Sequence, residues 1–300
     1  MRIAILSRGP GNYSTKRLKE EALARGHEVR IVDYAKCYVS IERSNPVVRY
    51  KGENLGDVDV VIPRIAASLT GYGSSIVRQF EMQNVFTTTS SISIVRSRDK
   101  LRSMQLLAKA GVGIPKTVFA RETVDTADVL DQVGGAPAII KVARGTQGNG
   151  VVLAETRKAA QAVMQAFYVE GVNFLVQEYV AESAGTDIRA FVVNGKVVAS
   201  MKRQSLDDDF RSNIHQGGTG TAVKLSDEER RTAQKAAKAM GLSICGVDML
   251  QSDRGPLVLE VNSSPGFGIE HVTGRNVAEK IIEYVEQNAK GKRRKDRVGA

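Results

Sequence analysis

The first 95 residues alternate short apolar runs with amphipathic stretches. Apolar residues recur at helical spacing over 15–26, and Gly26 supplies a stop signal. Strands and helices in alternation predict a small α/β lobe with a parallel sheet. The predicted elements are strands at 2–7, 28–33, 57–65 and 85–89 and helices at 15–26 and 74–83.

The loop after the first predicted strand reads SRGPGNYS, residues 7–14. A dinucleotide site needs GxGxxG at this point, because those glycines let the backbone approach a pyrophosphate. Here the glycines fall in a different register. The lobe therefore resembles half of a dinucleotide-binding fold, but we expect no dinucleotide site in it.

The remainder of the chain mixes helices with paired strands. Asn194-Gly195 joins two apolar runs and predicts a β-hairpin, and Ser226 followed by Glu229 predicts the capped start of a helix. The other predicted elements are strands at 113–120, 136–143, 151–155 and 173–180, helices at 97–111, 124–132, 157–167 and 275–288, and a second hairpin at 246–262.

Composition narrows the class of protein. Of 300 residues, 42% are hydrophobic, and no apolar run approaches the roughly 20 residues that span a membrane. The N-terminus is too polar after Leu6 for a secretory signal. Cys37 and Cys245 are far apart and form no CxxC, so we expect a reduced, cytoplasmic protein. We expect neither a DNA partner nor a membrane partner.

The net charge of +10 is concentrated at the C-terminus, where residues 290–300 (KGKRRKDRVGA) carry a net +5. One interpretation of this segment is a solvated, disordered tail. The other is an electrostatic tether to ribosomal RNA or to an acidic partner. The sequence alone leaves both open.

The hairpin at 246–262 places acids at strand positions. With a turn near Arg254, Asp248 and Glu260 lie opposite each other, and Glu260 shares a face with Asn262. At about 4 Å and an effective dielectric near 20, two carboxylates repel by roughly 4 kcal/mol, so we expect positive charge between them. Oxygen ligands of this kind suit magnesium. A shared proton or a satisfied polar strand end is the alternative.

Lys141 precedes a glycine-rich loop, GTQGNG, at 145–150. Three glycines in six residues let a backbone approach an anion and point its amides at it. Predicted strands on both sides, and the absence of GxxxxGK[ST], exclude a P-loop. The loop is typical of a flap that closes over a nucleotide triphosphate, with an ordinary flexible turn as the alternative.

Polar and cationic side chains follow this loop along the chain. Glu178 ends an apolar strand at a lobe boundary, where an adenine edge could be read. Asp187 and Arg189 share a strand face, and further cations come from Arg203 and from 211–213. Arginines gathered on one spot favour a phosphate ligand, because they otherwise repel one another. A solvated charged face is the alternative.

The order of these features resembles the ATP-grasp fold, in which two α+β lobes grip ATP behind an N-terminal α/β lobe. Motifs over almost the whole chain, residues 1 to 288, are similar to those of the RimK-type α-L-glutamate ligases. Among them are IPRI (62–65), SRDKLRSMQLL (97–107), GTQGNGVVLAET (145–156), DIR (187–189), GVD (246–248) and EVNSSPG (260–266).

The resemblance implies a division of the chain into four parts. These are a Rossmann-like N-terminal pre-ATP-grasp domain at 1–95, a central ATP-grasp lobe with the flap at 96–182, a C-terminal lobe with the metal site at 183–288, and a basic, disordered tail at 289–300. The expected fold class is accordingly α/β and α+β.

By position, the resemblance also implies ATP, two magnesium ions (with manganese as the alternative ion) and specific site residues. The implied metal ligands are Asp248, Glu260 and Asn262, the implied catalytic cations are Arg189, Arg203 and Arg211, and Arg64 is implied to receive an amino-acid carboxylate. The implied nucleotide contacts are Lys100, Lys141, Gly145, Thr146, Gln147, Gly148, Gly150, Gln177, Glu178, Tyr179, Val180, Asp187, Arg211, Ser212 and Asn213.

RimK-type ligases add glutamate to the C-terminus of ribosomal small-subunit protein S-6. The resemblance therefore implies this activity through an acylphosphate, with S-6 and glutamate as partners and a homo-oligomer, a tetramer, as the assembly. One alternative is a ligase that acts on a carrier protein or makes free polyglutamate. The other is a non-catalytic nucleotide-binding protein that associates with the ribosome.

Three positions depart from the pattern of this family. Arg144 stands where an acidic residue commonly precedes GTQG, and Gln216 replaces an arginine. The loop at 267–270 is one residue shorter than usual. The first two change the charge around the phosphates, while the third borders the expected acceptor site and bears on substrate identity.

Overall fold

The computed structural model describes residues 1–43, 46–121, 125–143, 150–183, 185–205 and 219–289. Its strands are β1 Arg2–Leu6, β2 Glu28–Val32, β3 Cys37–Ser40, β4 Val47–Tyr50, β5 Glu53–Asn54, β6 Val60–Pro63, β7 Phe86–Thr87, β8 Thr117–Ala120, β9 Ala138–Val142, β10 Val151–Ala154, β11 Phe174–Glu178, β12 Thr186–Val193, β13 Lys196–Gln204, β14 Thr219–Ala222, β15 Ile244–Leu250 and β16 Leu257–Asn262. Its helices are α1 Tyr13–Ala24, α2 Thr70–Met82, α3 Ser91–Arg98, α4 Lys100–Lys109, α5 Thr126–Gln132, α6 Arg157–Val169, α7 Asp227–Met240, α8 Gly268–Thr273 and α9 Val277–Asn288.

The N-terminal sheet has the order β2-β1-β6-β7, and its neighbouring strands are parallel. The four residues of β6 are all buried, as are the last four of β1, which is the pattern of a parallel sheet covered on both faces. The predicted α/β lobe is confirmed. A second small sheet, β3-β4-β5, was not predicted.

Two antiparallel sheets follow, with the orders β10-β9-β11-β8 and β14-β13-β12-β15-β16. Asn194 and Gly195, between β12 and β13, have φ values of 50° and 72°, as a two-residue hairpin turn of type I′ requires. Ser226 and Glu229 form the predicted capping box at the start of α7. Both sequence predictions are confirmed.

The helix predicted at 97–111 is interrupted. Asp99 is extended, with φ −91° and ψ 105°, and its carboxylate accepts a hydrogen bond of 3.0 Å from the Arg102 amide, so it ends α3 and caps α4. The break directs neighbouring side chains to different lobes. Arg98 contacts the Ile65 carbonyl in the N-terminal lobe, and Lys100 contacts the Val142 carbonyl in the central one.

The hydrophobic core shows how the lobes are joined. Ile3 and Ile5 of β1 belong to the same buried cluster as Phe191 of β12, Phe267 and Ile281 of α9. The central sheet has a cluster of its own with α5 and α6. The N-terminal and C-terminal sheets thus share one core. None of the helices in the described residues is both long and apolar enough to traverse a membrane.

Candidate active site

The β15–β16 hairpin brings three oxygen-bearing side chains to one place. Asp248 and Glu260 are cross-strand partners, as the sequence predicts, and Asn262 pairs with Gly246 two positions further along. The Asn262 amide donates a hydrogen bond of 2.7 Å to Glu260 Oε1, which confirms that the two side chains share a face. Asp248 itself is only 2% exposed.

Two arginines supply the positive charge expected beside Asp248. Arg189, its partner on β12, donates from Nε to Oδ1 at 2.7 Å and from Nη2 to Oδ2 at 2.5 Å. Arg203 Nη2 lies 2.9 Å from the same Oδ2, and Arg203 also forms a two-point contact with Asp187. The prediction that these cations need a phosphate to offset their repulsion is therefore wrong for Arg189 and Arg203, because buried carboxylates already neutralise them.

The two facing acids have different pKa values. Burial raises the pKa of Asp248, but Arg189 and Arg203 outweigh burial and hold it well below the ordinary value. For Glu260, loss of hydration and the nearby Asp248 charge both raise the pKa, although the side chain retains exposed surface. One member of the pair is therefore firmly ionised, and the other accepts a proton more readily.

The donor set fits a hard divalent cation. Two carboxylates and one carboxamide lie together, and Asp248 Oδ1, which contacts one arginine where Oδ2 contacts two, has lone-pair capacity left for a metal. Within the described ranges no group of three or more His, Cys, Asp and Glu side chains could hold a metal. The mixed set of Asp248, Glu260 and Asn262 is thus the candidate metal centre.

Two lysines of the central lobe face this centre. Lys141 lies on β9, and Lys100 donates from Nζ to the Val142 carbonyl at 2.8 Å. Burial, opposed by Glu260 and reinforced by Lys100, lowers the pKa of Lys141 to about 8. Burial also lowers the pKa of Lys100, again against Glu260. Since Glu260 influences both lysines, the central lobe approaches the β15–β16 hairpin at this point.

The predicted hairpin around the glycine-rich loop is confirmed, because β9 and β10 pair in antiparallel fashion. Gly150 has φ 71°, and a Cβ there would lie 2.4 Å from Val142 Cγ2, so the position requires glycine. The other predicted nucleotide contacts of this loop and of the later loop lie outside the described residues: Gly145, Thr146, Gln147, Gly148, Arg211, Ser212 and Asn213, as do the departures Arg144 and Gln216.

The end of β11 carries four of the predicted nucleotide contacts: Gln177, Glu178, Tyr179 and Val180. The buried Gln177 amide donates to Thr117 Oγ1 at 2.8 Å. Glu178 accepts hydrogen bonds from the Lys116 amide at 2.8 Å and from Arg254 Nη2 at 2.5 Å. Both side chains are therefore engaged within the protein, and Arg254 links the β15–β16 turn to the central lobe.

Arg64, predicted from the resemblance, lies just after β6. Its Nη2 donates to the Pro265 carbonyl at 2.7 Å, and its guanidinium lies 5.2 Å from the Phe267 ring centroid. Burial lowers the pKa of Arg64 to about 10, and the nearby Arg98 adds to the shift. Sequence reasoning gave Arg98 no role, although the residue lies in the quoted segment 97–107.

Comparison with known proteins defines the family. A model described as the RimK-like ATP-grasp domain matches residues 97–285, and one described as the RimK PreATP-grasp domain matches residues 1–94. The chain belongs to the RimK family of ATP-grasp ligases. It is 56% identical over 298 residues to a "Probable alpha-L-glutamate ligase" of Vibrio cholerae, with 99% of each chain covered. It is 57% identical over 290 residues to a "Probable alpha-L-glutamate ligase 2" of Shewanella frigidimarina, with 96% of this chain and 97% of that protein covered.

Solved structures show the same fold at lower identity. The ATP-grasp ligase PsnB with a minimal precursor has a TM-score of 0.74 at 20% identity, covering 95% of this chain and 98% of that one. A RimK domain protein from Sphaerobacter thermophilus has a TM-score of 0.72 at 20% identity, covering 95% and 99%. At this identity the likeness shows the fold alone.

Membership of the RimK family makes the protein an ATP-dependent carboxylate–amine ligase of the α-L-glutamate ligase group. ATP-grasp enzymes use ATP with magnesium, and one PsnB structure contains magnesium and ADP. The chemistry expected of the cleft is therefore formation of a carbon–nitrogen bond at the expense of ATP.

Proposed function

We propose that the protein joins L-glutamate to the C-terminal carboxylate of ribosomal small-subunit protein S-6. The observation that carries this is the proximity of Lys100 and Lys141 of the central lobe to Glu260, which lies beside Asp248 and Asn262 on the β15–β16 hairpin. Cations opposite a metal centre suit a nucleotide triphosphate, and the full-length relatives are named as glutamate ligases.

The proposed reaction has two steps. An oxygen of the acceptor carboxylate attacks the γ-phosphorus of ATP, the bond to ADP breaks, and an acylphosphate forms. The glutamate ammonium first loses a proton to solvent, and its nitrogen then attacks the acyl carbon. Phosphate leaves with the carbon–oxygen electron pair, and the second N–H proton passes to the phosphate. No nucleophilic side chain is needed, and burial raises the pKa of Cys245, which keeps that thiol protonated.

In this scheme the chain positions charge rather than forming covalent bonds. Lys100 and Lys141 hold the phosphates. Asp248, Glu260 and Asn262 would hold two magnesium ions, which offset the negative charge on the phosphoryl group. Arg189 orients Asp248 and keeps it ionised.

Substitution of Glu260 tests the metal assignment. Glu260→Gln keeps the side-chain shape and the contact with Asn262, but it removes one charged metal ligand. We expect ADP release with acceptor and glutamate present to fall by at least about a hundredfold, since several kcal/mol of charge stabilisation are lost. Glu286→Gln, on α9, is the matched control. ADP formation by Glu260→Gln at the wild-type rate would contradict the assignment.

The partners belong to the same proposal. An S-6 acceptor places the reaction in the cytoplasm. The basic segment 290–300 lies outside the described residues, and its net charge of +5 suits contact with ribosomal RNA. We further propose a homotetramer, which size-exclusion chromatography with light scattering would establish or exclude.

A further inference from the structure

The small sheet that the sequence did not predict has an open edge. β3 is the outermost strand of the order β3-β4-β5, and within the described residues it pairs with β4 alone. Val39 lies opposite Val48, and the Val48 carbonyl accepts a hydrogen bond of 2.9 Å from the Leu55 amide on the far side of β4. Opposed residues of antiparallel strands turn their backbone groups either toward each other or away from each other. The Val39 amide and carbonyl therefore point to the free edge.

A contact from α2 defines one end of this edge. Tyr72 donates from its hydroxyl to the Cys37 carbonyl at 2.5 Å. Cys37 and Val39 are two residues apart on the strand, so their carbonyls point in the same direction. Tyr72 thus covers the edge at Cys37, and Val39 is left without a backbone partner in the described part of the chain.

The side chains beside this edge are apolar and exposed. Ile41 is 80% exposed, more than any other large hydrophobic side chain that the structure describes, and Tyr38 and Tyr72 are 48% and 45% exposed. Natural sheets protect an open edge with charges, proline or a bulge, and β3 has only its short length. An edge of this composition favours pairing with a strand of another chain.

The charges at the two ends of β3 match a second copy of the same strand. When two copies of β3 lie antiparallel with their Val39 residues opposed, Lys36 of one copy falls opposite Glu42 of the other. A two-fold axis repeats this contact, so both ends of the pair join opposite charges. Lys36 is 69% exposed and lies 3.8 Å from Asp33, while Glu42 is exposed and has no ion pair with any residue that the structure describes.

We propose that β3 pairs with β3 of a second copy of this chain, about a two-fold axis at Val39. The two Val39 residues exchange two backbone hydrogen bonds, and the two three-stranded sheets become one continuous sheet. Ile41 of each copy comes to lie opposite Cys37 of the other, beside Tyr72, and is removed from water. The pairing rests on the self-association proposed above and names its surface, which the family resemblance does not.

Size-exclusion chromatography with light scattering, over a range of protein concentrations, tests the pairing. Ile41→Lys places a charge in the apolar contact, so we expect it to halve the mass of the assembly and to raise its dissociation constant at least about tenfold. A dihedral tetramer has more than one kind of two-fold interface, so loss of this one would leave dimers. Val169→Lys is the matched control, because Val169 is 71% exposed at the end of α6 in the central lobe.

Charge reversal tests the register of the two strands. Lys36→Glu and Glu42→Lys each place like charges opposite each other at both ends of the pair, so each should weaken association. The double variant restores opposite charges and should associate about as tightly as the wild-type protein.

A disulfide between copies tests the same register directly. Tyr38 of one copy faces Ser40 of the other as a non-hydrogen-bonded pair, whose Cα atoms lie about 4.5 Å apart, within reach of a disulfide. A mixture of the Tyr38→Cys and Ser40→Cys proteins should form a mixed disulfide under oxidising conditions. Ser40→Cys alone should not, because its two cysteines are diagonal to each other. The native Cys37 and Cys245 are buried.

Thermal unfolding confirms that each variant is folded before it is compared. A wild-type protein that is monomeric at every concentration, an unchanged mass of Ile41→Lys, or an equal loss of association in Val169→Lys would overturn the proposal. So would absence of the mixed disulfide, or failure of the charge-reversal double variant to recover association.

A ligation assay on the same samples separates the pairing from the proposed function. If the wild-type protein assembles and cross-links as expected but extends no acceptor, the pairing stands and the proposed acceptor is wrong. If it extends S-6 as a monomer, the proposed ligation stands and the pairing is wrong.

Discussion

At the scale of single residues, Arg203 joins two buried acids. Its side chain is 4% exposed, and it contacts Asp187 and Asp248, which are 3% and 2% exposed. A buried carboxylate is tolerated only when a cation or several hydrogen bonds satisfy it. Arg203 therefore stabilises the buried carboxylates of Asp187 and Asp248, the second of which belongs to the candidate metal centre.

Replacing Arg203 should lower the stability of the folded protein. Arg203→Met leaves the buried Asp187 carboxylate without its arginine and Asp248 with Arg189 alone, so we expect the free energy of unfolding to fall by about 3–5 kcal/mol. Arg203→Lys, which keeps the charge but loses the two-point geometry, should lose less. Urea denaturation followed by circular dichroism measures both. A loss below about 1 kcal/mol in the Met variant would contradict the structural role.

Lys141 makes nucleotide binding depend on pH. Its pKa is lowered to about 8, so the lysine is charged below pH 8 and becomes neutral as the pH rises through that value. Phosphate binding requires the charged form, so we expect ADP affinity to weaken progressively above pH 8. Calorimetry in buffers of different ionisation enthalpy should also show proton uptake on binding at pH 8.5. Lys141→Arg, which stays charged, should remove both effects, and a wild-type pH profile in that variant would exclude Lys141 as the source.

At the scale of elements, helix ends organise the site. Asp99 breaks α3 from α4, which aims Arg98 at one lobe and Lys100 at another. The opposition of Asp248 and Glu260 is predicted correctly, but it depends on a register shift between Asp248 and Met249 that the hairpin turn alone does not supply. The break between α3 and α4 at Asp99 could not be predicted. Apolar residues continue at helical spacing through this position, and the Asp99 side chain competes with the helical hydrogen bonds only locally.

Two contacts of the site could not be predicted from local sequence patterns. The contact of Arg189 with Asp248 depends on β12 lying beside β15, which is a matter of strand order. The contact of Arg203 with Asp187 depends on a register shift between Phe191 and Val192 within the predicted β12–β13 hairpin. The same limit explains why Arg98 was overlooked: its partner Arg64 is 34 residues away in another lobe.

Glu270 shows what one side chain contributes to element packing. Its Oε1 accepts from the amides of Val277 and Ala278, at 2.7 and 3.0 Å, while Oε2 accepts from Tyr13 and Arg17 of α1. Glu270→Ala would leave two helix-start amides unsatisfied and remove the hydrogen bonds by which Tyr13 and Arg17 of α1 contact α8. We expect a loss of about 2–4 kcal/mol in the free energy of unfolding, measured in urea.

The control for this prediction is Glu286→Ala. Glu286 also connects α9 to the N-terminal lobe, through Arg25 at 2.6 Å, but both side chains are about 30% exposed. A surface pair of this kind contributes under about 1 kcal/mol. An equal effect of the two substitutions would show that Glu270 acts only as another surface charge.

At the scale of the whole molecule, a shared core joins two of the four sheets in the described residues, the N-terminal parallel sheet and the C-terminal antiparallel sheet. Ile3 of β1 and Phe191 of β12 lie in one buried cluster, whereas Ile140 of β9 belongs to a separate cluster in the central lobe. The N-terminal and C-terminal sheets therefore form one large unit, and the central lobe forms a smaller one. Because the larger unit has the larger core, we expect its local unfolding to cost more free energy.

Native-state hydrogen exchange should reveal this division. We expect amides of β1 and β12 to open together, with free energies within about 1 kcal/mol of each other, and amides of β9 and β11 to open at a lower free energy. Added ADP and magnesium should raise protection mainly in the central lobe. Independent opening of β1 and β12 would contradict a common core for the two sheets.

The most direct test of the central claim is the intact mass of S-6 after incubation with the protein, ATP, magnesium and L-glutamate. The proposed function predicts S-6 heavier by one or more glutamate residues, located at its C-terminus by peptide mapping, with one ADP formed per residue added. S-6 lacking its C-terminal residues is the control. Unchanged S-6 alongside growth of free glutamate oligomers, or ADP formed without any heavier product, would contradict it.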